Sequence, residues 1–142
     1  MSIWRDLRTM EELNAPGATL TTHLDIKVIE IGADYLRGTM PVDPRTLQPY
    51  GLLHGGASVA LAETLGSMAA SMCVDPGYIA VGQEINANHV RSARSGLVTG
   101  TTRPVHIGGR THVWTIDIVD DAGKLVCISR LTMAVIKRGV LS

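Results

Sequence analysis

The sequence contains no phenylalanine, and its aromatic residues are limited to two tryptophans and three tyrosines among 142 residues. A hydrophobic core must therefore be built from Val, Ile, Leu, Met and Ala, and few rings are present to stack on an aromatic ligand. An excess of charge is also missing, since 13 Lys+Arg balance 13 Asp+Glu. Nucleic-acid-binding proteins usually carry a basic excess, so we expect no nucleic-acid partner. With 45% hydrophobic residues, zero net charge favours a protein that buries surface in an oligomer.

Cysteine and long apolar runs are scarce as well. Cys73 and Cys127 stand far apart without a CxxC motif, so we expect reduced core cysteines in a cytoplasmic protein. No uncharged apolar stretch reaches the roughly 18 residues of a membrane span, and the charged N-terminus has no apolar signal region. The five histidines show no HExxH or similar spacing, so we expect no metal site. The chain length predicts one soluble domain over residues 1–142, with no separate cofactor domain.

Hydrophobic periodicity predicts one long helix among six strands. In chain order the pattern predicts a short helix over 3–14, strands over 24–31 and 35–41, a helix over 55–73, and strands over 78–91 (with room for a bulge), 97–105, 111–119 and 124–137. A hairpin turn is expected at 120–123. The absence of alternating βα units argues against Rossmann and hydrolase-type folds. The expected architecture is an α+β fold in which an antiparallel sheet wraps around the single long helix.

Glu63 is the only charged residue of the predicted helix over 55–73. Its face is otherwise made of small or uncharged residues, namely Gly56, Val59, Ala60, Gly66, Ser67 and Ala70. A carboxylate there costs several kcal/mol unless it is paired, protonated or useful. We therefore favour a functional carboxylate in a cleft or at a subunit junction over a plain solvent-facing stripe. Ser67, one turn later, could bind the same substrate or water, or serve only as a small packing residue.

The residues that enter this helix can bind a carbonyl oxygen. The first N–H groups of a helix lack internal partners and lie at its positive end, and the glycines of His54-Gly55-Gly56 would let a ligand approach them. A carbonyl placed there would be polarised as in an oxyanion hole; an ordinary glycine-rich helix entry is an equal alternative. The amide of Gln48 could donate to the same oxygen, although an isolated loop glutamine is usually solvated. Residues 56–60 resemble the GxSxG elbow of serine hydrolases, but the final position is alanine, so that class is rejected.

Two further segments could bind phosphate. The sequence His106-Ile107-Gly108-Gly109-Arg110 is a short glycine-containing loop with a cationic end. His89, Arg91 and Arg94 form a basic strand end, which matters only if it lies beside another part of the site.

Taken together, these residues resemble a known enzyme family. The segment LQPYGLLHGGAS over 47–58, followed by Ala62-Glu63 and Gly66-Ser67, and the segment EINANHVRSA over 84–93 are similar to the hot-dog fold acyl-CoA thioesterases. The similarity is greatest to the bacterial subgroup that includes dihydroxynaphthoyl-CoA thioesterases and enterobactin-proofreading thioesterases. It covers most of the chain, from about residue 24 to residue 136, and it agrees with the architecture expected from the periodicity.

The resemblance implies an active site shared by two subunits of a homodimer, which could pair further into a dimer of dimers. Gln48 and the Gly55 N–H would polarise the thioester carbonyl, and His54 would help to position it. Glu63 of the partner subunit would act as nucleophile or as general base on water. Ser67 would orient that water or the acyl group.

The resemblance also implies which residues bind coenzyme A (CoA). Since CoA is part of the substrate, no cofactor is expected. The implied CoA-binding residues are Gly82, His89, Val90, Arg91, Ser92, His106, Ile107, Gly108, Gly109, Arg110 and Thr111. The implied reaction is hydrolysis of an acyl-CoA, with an aromatic acyl group of the dihydroxynaphthoyl or benzoyl type. Two alternatives stay open: a thioesterase for acyl carrier protein, which would need a basic docking patch near Arg91 and Arg94, and a non-catalytic acyl-CoA-binding module.

Overall fold

A computed structural model describes residues 1–141 of the chain. It contains six strands, one long helix and two single-turn helices. In chain order these are α1 (Met10–Leu13), α2 (Leu20–His23), β1 (Lys27–Ile31), β2 (Leu36–Pro41), α3 (Gly55–Ser71), β3 (Tyr78–His89), β4 (Leu97–Ile107), β5 (Thr111–Val119) and β6 (Leu125–Lys137). The expected order of strands around one long helix is confirmed.

The six strands form one sheet in the order β1-β2-β4-β5-β6-β3, and each neighbouring pair is antiparallel. Helix α3 packs on one face of this sheet and contacts β2 to β6. The bulge expected in the third strand is present, since the register of β3 against β6 shifts between Gly82 and Glu84. The outer edge of β3 pairs with no other strand of residues 1–141.

The core is a layer of aliphatic side chains between α3 and the sheet. On β5, alternate residues from His112 to Ile118 are buried, and Leu61 and Leu65 of the helix lie in the same core with no exposed surface. Gly38 and Gly100 stand directly opposite each other on β2 and β4. A Cβ atom would lie 2.6 Å from a Leu65 methyl at Gly38 and 2.8 Å from one at Gly100. The paired glycines therefore let the helix approach the sheet closely.

The expected N-terminal helix over 3–14 is wrong in extent. Only Met10–Leu13 is helical, and Thr9 starts it with a capping box to Glu12. Trp4 lies before it, where its Nε1 donates to the Gly32 carbonyl at 2.7 Å. The N–H groups of residues 5 and 6 donate to the Met72 carbonyl at 2.8 and 3.1 Å. Because these bonds tie the backbone to the end of α3, the segment cannot wind into a helix.

Other boundaries differ by a few residues. The first strand begins at Lys27 rather than at 24, because the one-turn helix α2, which the sequence analysis missed, occupies Leu20–His23. The third strand ends at His89, and the fourth extends to Ile107. The turn at 120–123 is confirmed, with Asp120 accepting bonds from the N–H groups of Ala122 and Lys124, both at 2.9 Å. None of the helices within residues 1–141 is long and apolar enough to cross a membrane.

Candidate active site

The loop before α3 holds Gln48 in a fixed orientation. Leu47 and Leu53 form an isolated antiparallel bridge, and the Gln48 N–H donates to the Leu52 carbonyl at 2.7 Å. The turn between them closes on Gly51, whose φ of 75° suits glycine. The side-chain oxygen of Gln48 accepts a hydrogen bond from the Tyr50 N–H. The amide NH₂ group donates to none of residues 1–141, so it can donate to a ligand.

His54 caps the N-terminus of α3. Its Nδ1 accepts a hydrogen bond from the Gly56 N–H at 2.8 Å, so a neutral ring carries its proton on Nε2. The Gly55 N–H, by contrast, has no acceptor among residues 1–141. One unpaired N–H donor thus remains at the positive end of the helix, where a carbonyl or carboxylate oxygen binds well.

Gln48 and Gly55 line one cleft of about 430 Å³. Its wall consists of Gln48, Leu52, Leu53, Gly55, Ser58, His89, Val90, Arg91, Ser92 and Val126. The imidazole of His89 lies directly over Gly55, since a Cβ atom there would be 2.9 Å from Nε2 of His89. The expected helix entry, the loop glutamine and the basic end of β3 therefore meet in one place.

Glu63 lies outside this cleft, two turns further along α3. The side chain is half-buried, and it forms no ion pair or hydrogen bond with any of residues 1–141. Its carboxylate packs against β3, where a Cβ atom on Gly82 would come within 2.3 Å of Oε1. Eight residues of helix separate Glu63 from Gly55, which is about 12 Å along the axis. Within one chain, Glu63 cannot reach a carbonyl bound at Gly55.

Ser67 lies on α3 one turn after Glu63. The residue is half-buried, and among residues 1–141 its hydroxyl donates only to the sulfur of Met133, at 3.8 Å. A thioether is a weak acceptor, so the hydroxyl can turn toward a ligand on the Glu63 side of the helix. Gly66, which the periodicity placed on the same face, instead faces the sheet, where a Cβ atom would be 2.5 Å from a methyl of Leu131.

The glycine-containing loop lies at the other end of α3. It joins β4 to β5, and Gly108 and Gly109 line a second cavity of about 300 Å³ together with Arg5, Cys73 and His112. Helix α3 has 17 residues, so about 25 Å separates this cavity from the first cleft. One chain therefore does not bring the two expected CoA-binding segments together.

Burial changes the pKa values of two groups in this second cavity. It lowers the pKa of His112 from its ordinary value of 6.5, and the nearby cations His106 and Arg5 lower it further, while the Gly108 backbone opposes the shift. Burial raises the pKa of the Cys73 thiol to about 11. At neutral pH both side chains are therefore uncharged.

Comparisons with known proteins identify the family. The model of the thioesterase superfamily matches residues 50–127, more than half of the chain. The chain belongs to the thioesterase superfamily. The 1,4-dihydroxy-2-naphthoyl-CoA hydrolase of Escherichia coli is 54% identical over 135 residues, covering 94% of this chain and 99% of that protein. The proofreading thioesterase EntH of Cronobacter turicensis is 50% identical over 134 residues, covering 94% and 98%.

Solved structures agree with this assignment. A thioesterase from Haemophilus influenzae superposes with a TM-score of 0.92 at 48% identity, covering 95% of each chain. A mutant thioesterase from Pseudomonas aeruginosa gives a TM-score of 0.94 at 51% identity, covering 96% of this chain and 99% of that one. The sheet around α3 is therefore the hot-dog fold, and this thioesterase is a thioester hydrolase.

Two residues of the thioesterase went unassigned in the sequence analysis, although both line its cavities. Ser58 was considered only as part of a hydrolase elbow, yet it forms part of the first cleft. Its position three residues after Gly55 could have signalled this, because residues three apart share a helix face. His112 was mentioned only as one of the five histidines that lack the spacing of a metal-binding motif. Its burial follows from the alternation of β5, but its place in the second cavity depends on the N-terminal segment.

Proposed function

We propose that the thioesterase hydrolyses an aromatic acyl-CoA in a site built by two subunits. Gln48 and Gly55 of one subunit bind the thioester carbonyl, and Glu63 of the partner subunit performs the chemistry. The observation that carries this proposal is the separation of about 12 Å along α3 between the free Gly55 N–H and the unpaired Glu63 carboxylate. Neither group has a partner among residues 1–141 of its own chain, and a second copy of the chain brings the two groups together.

The edge of β3 supports such a pairing. This strand has 12 residues, and one side of it has no strand partner within residues 1–141. Long unpaired edges are covered in most native proteins, because they otherwise invite aggregation. A two-fold axis beside β3 would join two sheets and place the helices antiparallel. Each active site would then combine the N-terminus of one α3 with the middle of the other. A dimer of two such dimers, and a cytoplasmic location, stay predictions.

The reaction begins with polarisation of the thioester carbonyl. Its oxygen accepts hydrogen bonds from the Gly55 N–H and the Gln48 amide, which stabilise the negative charge that develops during attack. His54, whose Nδ1 is occupied by Gly56, helps to position the same carbonyl. No metal or cofactor takes part.

Glu63 of the partner subunit then drives cleavage by one of two routes. As general base it takes a proton from water, whose oxygen attacks the carbonyl carbon while Ser67 orients it. As nucleophile its own oxygen attacks and forms an anhydride, which water hydrolyses next. In both routes the C–S bond breaks, the CoA thiolate leaves and takes a proton, and the acid is released.

The acyl and CoA portions are assigned on different grounds. The aromatic acyl group rests on the relative named 1,4-dihydroxy-2-naphthoyl-CoA hydrolase. The CoA phosphates are placed at the basic end of β3, over 89–92, together with loop 106–111 of the partner subunit. If the two α3 helices pair antiparallel, loop 106–111 of one subunit lies near the first cleft of the other. Within a single chain the loop and the cleft lie at opposite ends of α3.

Thiol release from a panel of aromatic and aliphatic acyl-CoAs tests the reaction. We expect the wild type to prefer aromatic substrates and Glu63→Gln to lose nearly all activity. A protein that binds these ligands without releasing thiol would instead be an acyl-CoA-binding module.

Subunit complementation tests the shared site. Glu63→Gln and Gln48→Ala are each expected to be nearly inactive alone. After subunit exchange, a mixed dimer regains one intact site, so an equal mixture recovers about a quarter of the wild-type activity. Differently tagged subunits verify that exchange has occurred. No recovery in an exchanged mixture would mean that both residues act within one chain.

A second candidate substrate is an acyl group on a carrier protein. Arg91 and Arg94 are exposed and have no carboxylate partner among residues 1–141, as the docking of an acidic protein requires. Under this alternative, carrier-protein thioesters give a higher kcat/KM than acyl-CoA thioesters. Arg94→Ala then lowers kcat/KM for the carrier-protein thioesters but not for the acyl-CoA thioesters.

A further inference from the structure

The side chain of Ser58 lies in the wall of the first cleft. The residue is 1% exposed, and its backbone N–H donates to the His54 carbonyl at 3.2 Å. Its side chain bonds to none of residues 1–141, although it forms part of the cleft wall. Ser71, near the other end of α3, donates its hydroxyl to the Met68 carbonyl at 2.7 Å. The Ser58 hydroxyl is therefore available to donate to, or accept from, a ligand that enters the cleft.

The hydroxyl lies close to the carbonyl-binding end of the cleft. Side chains of a helix tilt toward its N-terminus, so Ser58 covers the turn that contains Gly55. The two residues are about 4.5 Å apart along the helix axis. The cleft wall also includes the apolar residues Leu52, Leu53 and Val126, and the imidazole of His89 lies over Gly55. Ser58 thus places a hydroxyl about one helical turn beyond the site proposed for the thioester carbonyl.

We propose that the Ser58 hydroxyl binds the amide of the pantetheine arm that lies nearest the thioester. This inference rests on the proposed function, in which the Gly55 N–H holds the thioester carbonyl. In CoA, two methylene groups separate the thioester sulfur from that amide, a span close to one helical turn. A hydroxyl can donate to the amide carbonyl or accept from its N–H. Ser58 therefore recognises the thiol carrier rather than the acyl group.

The test compares Ser58→Ala with the wild type on three thioesters of one aromatic acid. These are the CoA thioester, the N-acetylcysteamine thioester, which keeps only the nearest amide, and an S-butyl thioester, which has none. We expect kcat/KM to fall about five- to tenfold on the first two substrates and to stay unchanged on the third. An equal loss on all three, or no loss on any, would overturn the proposal.

Inhibitor binding gives the same comparison without turnover. Thioether analogues of the N-acetylcysteamine and S-butyl compounds, in which a methylene replaces the carbonyl, compete with substrate but cannot be hydrolysed. Ser58→Ala is expected to weaken binding of the amide-bearing analogue alone. Equal affinity of the wild type and the variant for that analogue would contradict the assignment.

Two controls separate recognition from folding. Ser71→Ala removes a hydroxyl from the same helix, outside the cleft, and is expected to leave all three kcat/KM values unchanged. Ser58→Ala removes a hydroxyl that has no partner, so its Tm is expected to equal or exceed that of the wild type. A fall in Tm with equal losses on all substrates would indicate a structural serine. If the wild type released no thiol from any CoA thioester, the proposed function itself would fail.

Discussion

The carboxylate of Glu63 rests on the backbone of Gly82. A Cβ atom on Gly82 would come within 2.3 Å of Oε1 of Glu63, so only glycine leaves room for this contact. Gly82 stands beside the bulge of β3, where the strand departs from regular pairing with β6. The bulge and the missing side chain together make the space in which the one charged group of α3 lies. The resemblance implied CoA binding at Gly82, and the structure adds a steric role next to the proposed catalytic carboxylate.

Gly82→Ala is therefore expected to displace the Glu63 side chain while sparing the fold. The clash falls on the end of a flexible side chain, which can rotate away, so Tm should change little. A catalytic group displaced by about 1 Å can cost on the order of 100-fold in rate, and we expect kcat to fall by about that factor. Thiol release and thermal denaturation measure the two effects. A variant with the wild-type kcat would show that the position of Glu63 is not limiting.

Gln48 is expected to matter as a donor and not merely as a polar residue. Gln48→Ala removes a hydrogen bond to the developing oxyanion and should lower kcat about 10²–10³-fold. Gln48→Glu keeps the oxygen that accepts from the Tyr50 N–H but replaces the NH₂ donor with a negative oxygen. It should therefore be at least as inactive as Gln48→Ala when both are assayed near neutral pH. A Gln48→Glu variant with appreciable activity would contradict the donor role.

The fold could be predicted from the sequence wherever one face of an element is buried. The alternation on β5 and the apolar length of α3 each depend on local pattern, and both were predicted correctly. The N-terminal segment could not be predicted, because Trp4 at helical spacing bonds instead to Gly32, 28 residues away. Such a long-range bond leaves no trace in the local periodicity.

The candidate site could be predicted only in part, for a related reason. The residues of the first cleft come from the loop, the start of α3 and the end of β3, and the motifs located most of them. Glu63 and the loop 106–111 lie away from this cleft. Their positions depend on the length of α3 and on the topology of the sheet, which no local motif reveals. Ser58 was overlooked because a lone serine has no distinctive pattern until its burial is known.

The two cysteines are expected to be unreactive in the folded protein. Both are buried and free, and burial raises the pKa of Cys73 to about 11 and that of Cys127 above its ordinary value. Since the thiolate is the reactive form, iodoacetamide at neutral pH should modify neither in the native state and both in denaturant. Mass spectrometry counts the added groups. Rapid labelling of the native protein, or loss of thioesterase activity on labelling, would contradict this expectation.

His112 is expected to make the protein less stable as the pH falls below about 6.5. Burial lowers the pKa of its imidazole in the folded state, so on acidification the unfolded chain takes up this proton first. Stability from the neutral ring is therefore fully present above the unfolded pKa of 6.5. It is lost as the pH falls from that value toward the folded pKa, with a slope of at most about 1.4 kcal/mol per pH unit.

His112→Gln should flatten this part of the stability profile, because glutamine does not titrate. The slope is checked by urea denaturation, which gives the free energy of unfolding at several values between about pH 7.5 and pH 5.5, one unit above and below the usual histidine pKa. His23→Gln, a substitution at an exposed histidine on α2, serves as the matched control and should leave the slope unchanged. If His112→Gln and the wild type lost stability in parallel, another group would be responsible.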